Sequence, residues 1–190
     1  MRPDETSRSG FLFSAKGKKM EAGISVATLA ALLEMKLEDF RNIAWSSEFG
    51  VISVRRRYSL SEALTLEIAR QLSELGGLPL STAFTMILST LGNPKPERLH
   101  DNEGDVWIGV MGSRIVSGDE RGKIAEAHFA GPLAKVSAKI ATWIEHDQAL
   151  YPNAYPARIF LTNVSTADRL LRRRAADLGI NIRDNEFVAD

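Results

Sequence analysis

Residues Ile24 to Ala44 read ISVATLAALLEMKLEDFRNIA, and this stretch decides the fold of the first half of the chain. Val26, Leu29, Ala30 and Leu33 fall at the i, i+3, i+4, i+7 spacing that gives a helix one apolar face. Leu37, Phe40, Ile43 and Ala44 repeat the pattern, and only Glu34-Met35-Lys36 separates the two. Helices joined by so short a linker cross steeply, as in a helix-turn-helix. Ser25 is placed to cap the first helix by accepting a hydrogen bond from a first-turn amide. The second helix is expected to begin near Lys36.

Downstream, Val51-Ile52-Ser53-Val54 has the β-branched residues of a short strand or hairpin, and it runs into Arg55-Arg56-Arg57-Tyr58. Ser59 or Ser61 is then expected to cap a strong helix. Its stripe is Leu60, Leu64, Ile68, Leu72 and Leu75, and Gly76-Gly77 stops it. Ser81 is expected to cap another helix carrying Ala83, Ile87, Leu88 and Leu91, which ends at Gly92-Asn93-Pro94. Residues 24–92 therefore form one unit, preceded by a polar arm, 1–23, and followed by a Pro- and charge-rich linker, 93–104.

Residues 105–190 change period. Val106, Ile108 and Val110 alternate as in a strand. Arg114 to Ser117 and Lys123 to Phe129 suggest two more strands with a turn at Gly118 to Gly122 between them, and Gly109 to Arg114 suggests a hairpin turn after the first strand. Pro132 is expected in the first turn of a helix that buries Val136, Ile140, Trp143 and Ile144. Tyr151 to Pro156 reads as a rigid loop and Arg158 to Leu161 as a strand. Ser165 with Asp168 resembles a capping box opening a helix through Leu170, Leu171, Ala175 and Leu178. Ile180 to Ile182 could add a last strand. The expected fold class is α+β: a mostly helical winged helix-turn-helix followed by a small mixed α/β module.

The 190 residues carry 24 Lys+Arg and 24 Asp+Glu, so the formal charge is zero. Cut at Gly92, the chain has 11 basic and 10 acidic residues before the cut and 13 and 14 after it. Neither half coats nucleic acid or membrane by bulk charge, and any DNA contact must come from a local patch. There is no cysteine, which excludes disulfides, thiolate nucleophiles and Cys-based zinc sites. Phe11-Leu12-Phe13 is too short for the apolar core of a signal peptide, and no apolar run reaches membrane-spanning length. A soluble cytoplasmic protein is expected, with no membrane partner.

From Val26 to Leu91 the chain resembles the DNA-binding domain of MerR-type regulators, which run helix-turn-helix, wing, then a helix pair. Tyr58-Ser59-Leu60-Ser61-Glu62-Ala63-Leu64 is similar to the family's start of the third helix, with one added position. Glu74-Leu75-Gly76-Gly77-Leu78 is similar to its turn before the fourth helix. Asp39-Phe40-Arg41-Asn42-Ile43 stands where the family has Thr-Leu-Arg-Tyr-Tyr and keeps the arginine. Glu34 replaces the family's turn glycine, and Lys36 its helix-start serine. Gly92-Asn93-Pro94 stands where the long dimerising helix would begin. The resemblance implies a sequence-specific transcriptional regulator of double-stranded DNA; it does not carry over the family's effectors or its dimer.

The candidate DNA-binding residues are Lys36, Arg41, Asn42, Arg55, Arg56 and Arg57. In a major-groove helix Arg41 can donate two bonds to guanine and Asn42 can pair with adenine, while Lys36 meets phosphate. Arg55 and Arg57 would share one face of the wing strand, with Arg56 turned away, and grip phosphates or a narrow minor groove. The competing readings are a solvated helix face and a charged edge that blocks strand aggregation. Arg169 and Arg172-Arg173-Arg174 fan around a helix rather than forming one patch.

His100, His128 and His146 lack metal spacing, and no serine has nucleophile-elbow context. No enzyme activity, cofactor or metal site is expected. The C-terminal module would serve homodimerisation or a small-molecule or protein effector. The alternative is a protein–protein adaptor or small-molecule sensor whose helical unit docks a protein partner.

Overall fold

A computed structural model describes residues 23–38, 40, 56–92, 99, 104–114, 124–150, 152 and 155–188. The protein is an α+β fold in which a helical layer and a single long helix cover opposite faces of a small antiparallel sheet. Helix α1 spans Val26–Leu32, and Ser25 caps it by accepting from the Thr28 amide at 3.2 Å. Leu37, Glu38 and Phe40 are again helical, and the Phe40 amide donates to the Lys36 carbonyl at 3.0 Å. Helix α2, Leu60–Gly76, opens with a capping box: the Glu62 amide donates to Ser59 Oγ and the Ser59 amide donates back to Glu62 Oε2. Gly77 ends it in the left-handed region at φ 65°. Helix α3, Leu80–Leu91, begins after Pro79 with no side-chain cap, so Ser81 lies inside the helix instead of capping it.

Strand β1, Val106–Arg114, is central, with β2, Ile124–Pro132, and β3, Tyr155–Asn163, antiparallel on either side. The glycines at 109 and 112 sit within this strand, which corrects the expected turn at Gly109–Arg114. Helix α4, Leu133–Leu150, carries the chain from β2 across to β3; Pro132 is the last residue of β2 and precedes the helix rather than entering its first turn. Helix α5, Val164–Asp177, follows β3 directly. Its cap is Asn163, whose Oδ1 accepts from the Thr166 amide at 2.8 Å. Ser165, the expected cap, is buried and ties strand to loop: it accepts from the Val106 amide and donates to the Leu99 carbonyl. A terminal hairpin pairs β4, Ile182–Arg183, with β5, Glu186–Phe187, through Asp184 and Asn185, both at positive φ.

Alternation along β1 divides the sheet into two faces. Ile108 and Val110, with Phe160 opposite Val110, turn toward α2, α3 and α5. Trp107, Met111 and Phe129 turn toward α4 and meet Val136, Ile140, Trp143 and Ile144. Gly109 sits under α4, where a Cβ would lie 2.6 Å from Val136 Cγ1 and 2.9 Å from Ile140 Cδ1. Glycine therefore sets how closely the helix approaches the sheet. One hydrophobic core joins Leu29, Phe40, Tyr58, Leu64 and Ile68 to Ile108, Leu171, Ala175 and Phe187, and Leu99 from the 93–104 stretch is buried in it.

Candidate functional site

Residues 56–58, the end of the arginine run, return beside the start of α1. The Ile24 and Tyr58 amides each donate to the other's carbonyl, at 3.0 and 2.9 Å, forming an isolated antiparallel bridge. Tyr58 is buried, and its ring meets Phe40 edge-on with centroids 6.2 Å apart. That contact ties the end of the arginine run to the helical turn after Lys36, because aromatic pairs favour this T-shaped arrangement. Burial pushes the Tyr58 hydroxyl above its ordinary pKa; the Arg56 charge opposes the shift and Glu62 adds to it. The hydroxyl finds no hydrogen-bond partner among the described residues.

Three of the six sequence candidates lie among the described residues. Lys36 and Arg57 are exposed. Arg57 reaches the Gly23 carbonyl only at 3.4 Å, leaving its guanidinium largely to solvent. Arg56 is half-buried and committed: it pairs with Glu62 and stacks over Tyr58 at 5.2 Å from the ring centroid. Arg56 thus braces the entry to α2, and Arg57 points outward. Arg41, Asn42 and Arg55 lie outside the described residues.

The turn after α1 holds a feature that sequence reasoning noted but did not interpret. Glu34 occupies the left-handed region at φ 54°. Its amide donates to the Ala31 carbonyl, and the next amide, of Met35, donates to the Ala30 carbonyl. This is a Schellman cap, whose left-handed position is usually glycine. The same pattern ends α5, where Gly179 and Ile180 donate to the Ala176 and Ala175 carbonyls and glycine holds the left-handed position at φ 71°.

Glu34 is held by Arg174 of α5, Nη2 to Oε2 at 2.7 Å, and the same guanidinium donates to Glu67 of α2 at 3.0 Å. The Glu67 side chain is 0% exposed and also accepts from Arg70 and Gln71. A buried carboxylate is tolerable only when so fully paired. Arg70 is itself partly buried, which lowers its pKa, but its bonds to Glu67 and Glu74 outweigh that and raise it. Arg174 therefore links the first turn, α2 and α5.

Two other arginines of α5 are likewise structural. Arg172 donates to Asp168 and Asn185, both at 2.7 Å. Arg169 grips Asp105 through two bonds of 2.8 Å, and that hydrogen bonding holds its pKa above the ordinary arginine value. The i, i+4 spacing of Asp168 and Arg172 was a readable signal; the pairing of Arg174 with Glu34 and Glu67, across three helices, was not. His128 accepts or donates at Nδ1 with Thr90 Oγ1 at 2.8 Å, as suits a histidine satisfied within the fold.

Among the described residues no cluster of His, Asp or Glu could hold a metal ion, and no helix is long and apolar enough to cross a membrane. No protein-family model matches the chain, and no curated protein matches it significantly.

Proposed function

We propose that the chain is a sequence-specific DNA-binding transcriptional regulator of the cytoplasm, built on a MerR-like winged helix-turn-helix. The second helix enters the major groove with Arg41 and Asn42 toward the bases and Lys36 on phosphate. Arg55 and Arg57 reach the backbone or minor groove from the wing, and Arg56 braces the wing against α2. The C-terminal module supplies the homodimer contact that a two-fold operator needs and a place for an effector.

The observation that carries this reading is the Ile24–Tyr58 bridge, with Tyr58 packed on Phe40. It returns the arginine run to the side of the first two helical segments while Lys36 and Arg57 remain exposed. A zero net charge fits a protein that reads sequence through a small patch rather than coating DNA.

The test is selection from a random duplex pool, followed by anisotropy on the selected site. Wild type should prefer that site over random duplex at physiological salt. Arg41→Ala should lose about 1–3 kcal/mol of discrimination at one base pair. Arg57→Ala should weaken all duplexes alike and reduce the salt slope by about one. A wild type that prefers no duplex refutes the reading and leaves the protein-docking adaptor in its place.

A further inference from the structure

We propose that the outer edge of β3 is a self-association seam, where two copies pair β3 with β3 antiparallel about a two-fold axis centred on Phe160. Among the described residues β3 pairs only with β1, and no strand meets its other backbone row. A cleft of about 370 Å³ follows this edge between the end of α2 and the sheet, and no ionisable side chain lines it. Three of its polar side chains are already engaged. Gln71 donates to Glu67, Asn163 donates to Asp105 and caps Thr166, and Thr166 accepts from Arg169. What is left is backbone and apolar surface: Leu75 is 89% exposed, Ile159 45% and Leu161 43%. An unpaired edge with apolar flanks recruits another strand rather than a polar small molecule.

The ends of the edge match about Phe160, as a second copy of the same strand requires, and the charge pattern rules out the pairing centred on Arg158. Arg158 is the one charged residue of β3. A two-fold axis normal to the sheet keeps every side chain on its own face, so the axis must pass beside a residue that meets itself. Centred on Arg158, the pairing would oppose two guanidinium groups, which is destabilising. Centred on Phe160, it sets Arg158 against Thr162 and Ile159 against Leu161, twice over. The available edge has matching ends. Pro156 has no amide to donate and Ala157 is skipped by the β1 pairing, while α5 begins at Val164. Leu75 extends the apolar seam beside Phe160, against which Gly76 already packs closely. The result is a six-stranded sheet, β2-β1-β3-β3-β1-β2, with both N-terminal units on the same face. This deepens the regulator reading and rests on it for its purpose, since a two-fold operator requires that arrangement.

Sedimentation of the full chain without DNA tests the seam. Wild type should run at twice its 20.9 kDa mass. Ile159→Lys with Leu161→Lys should raise the monomer–dimer midpoint at least about tenfold while the circular dichroism spectrum is kept. Because the chain has no cysteine, Ile159→Cys with Leu161→Cys should give a disulfide-linked dimer on mild oxidation while neither single variant cross-links, which reports the register even if the lysine variant folds poorly. A monomeric wild type, a lysine variant that folds and still dimerises, or a cysteine variant that never cross-links overturns the proposal. A dimer that recognises no DNA keeps the seam and removes the regulator reading; a strictly monomeric chain that selects an operator does the opposite.

Discussion

Substituting Glu34 separates backbone strain from ion pairing at the turn after α1. A non-glycine residue in the left-handed region costs about 1–2 kcal/mol, while glycine there costs about 0.5–1 kcal/mol in chain entropy. Glu34→Gly should therefore be more stable than Glu34→Ala by about 0.5–1 kcal/mol, since both lose the same carboxylate. That carboxylate is 61% exposed, so its pair with Arg174 contributes only about 0.5 kcal/mol. The glycine variant should match or slightly exceed wild type, and the alanine variant should fall about 0.5 kcal/mol below it. Arg174→Ala should cost more, about 1–3 kcal/mol, because it strips one of two guanidinium groups from the fully buried Glu67. In that background Glu34→Ala should cost nothing. Urea titrations with a constant m-value measure all four differences. Glycine ranking below alanine would refute the left-handed assignment, and an unchanged alanine cost without Arg174 would refute the pair.

Gly109→Ala should destabilise by about 1–3 kcal/mol, because the new methyl would sit 2.6 Å from Val136 and α4 must lift; paired Gly109→Ala and Val136→Ala should recover part of the loss, measured by thermal unfolding. Burial raises the Tyr58 hydroxyl pKa in the folded state, so the stability tied to its neutral form is fully present below the ordinary value of 10.0 and declines as pH rises through and beyond it. Tyr58→Phe should be near neutral at pH 7 and should flatten that alkaline decline relative to wild type in paired denaturant curves, and an equally steep decline in both would exclude Tyr58 as the source.

The helices were legible where local chemistry acts alone. Ser25, Ser59 and the Leu60–Leu72 stripe announce α1 and α2 through caps and periodicity, and the structure places them so. The cap of α5 was misread at Ser165 because Asn163, two residues earlier at the end of β3, already caps the helix through the Thr166 amide. Gly109 and Gly112 suggested a turn, since a sequence does not reveal that a helix must press against a strand at one position. Sequence spacing also could not show that Arg56 turns to Glu62 while Arg57 stays exposed, or that Arg174 crosses to Glu34 and Glu67. Those choices depend on which helices become neighbours.

Phe187, near the end of β5, is 1% exposed within the same core as Leu29 and Tyr58. The first helix and the last described strand therefore wall the same interior, so a chain cut shortly before Phe187 would keep every sequence feature of the first half and lack one wall of its core.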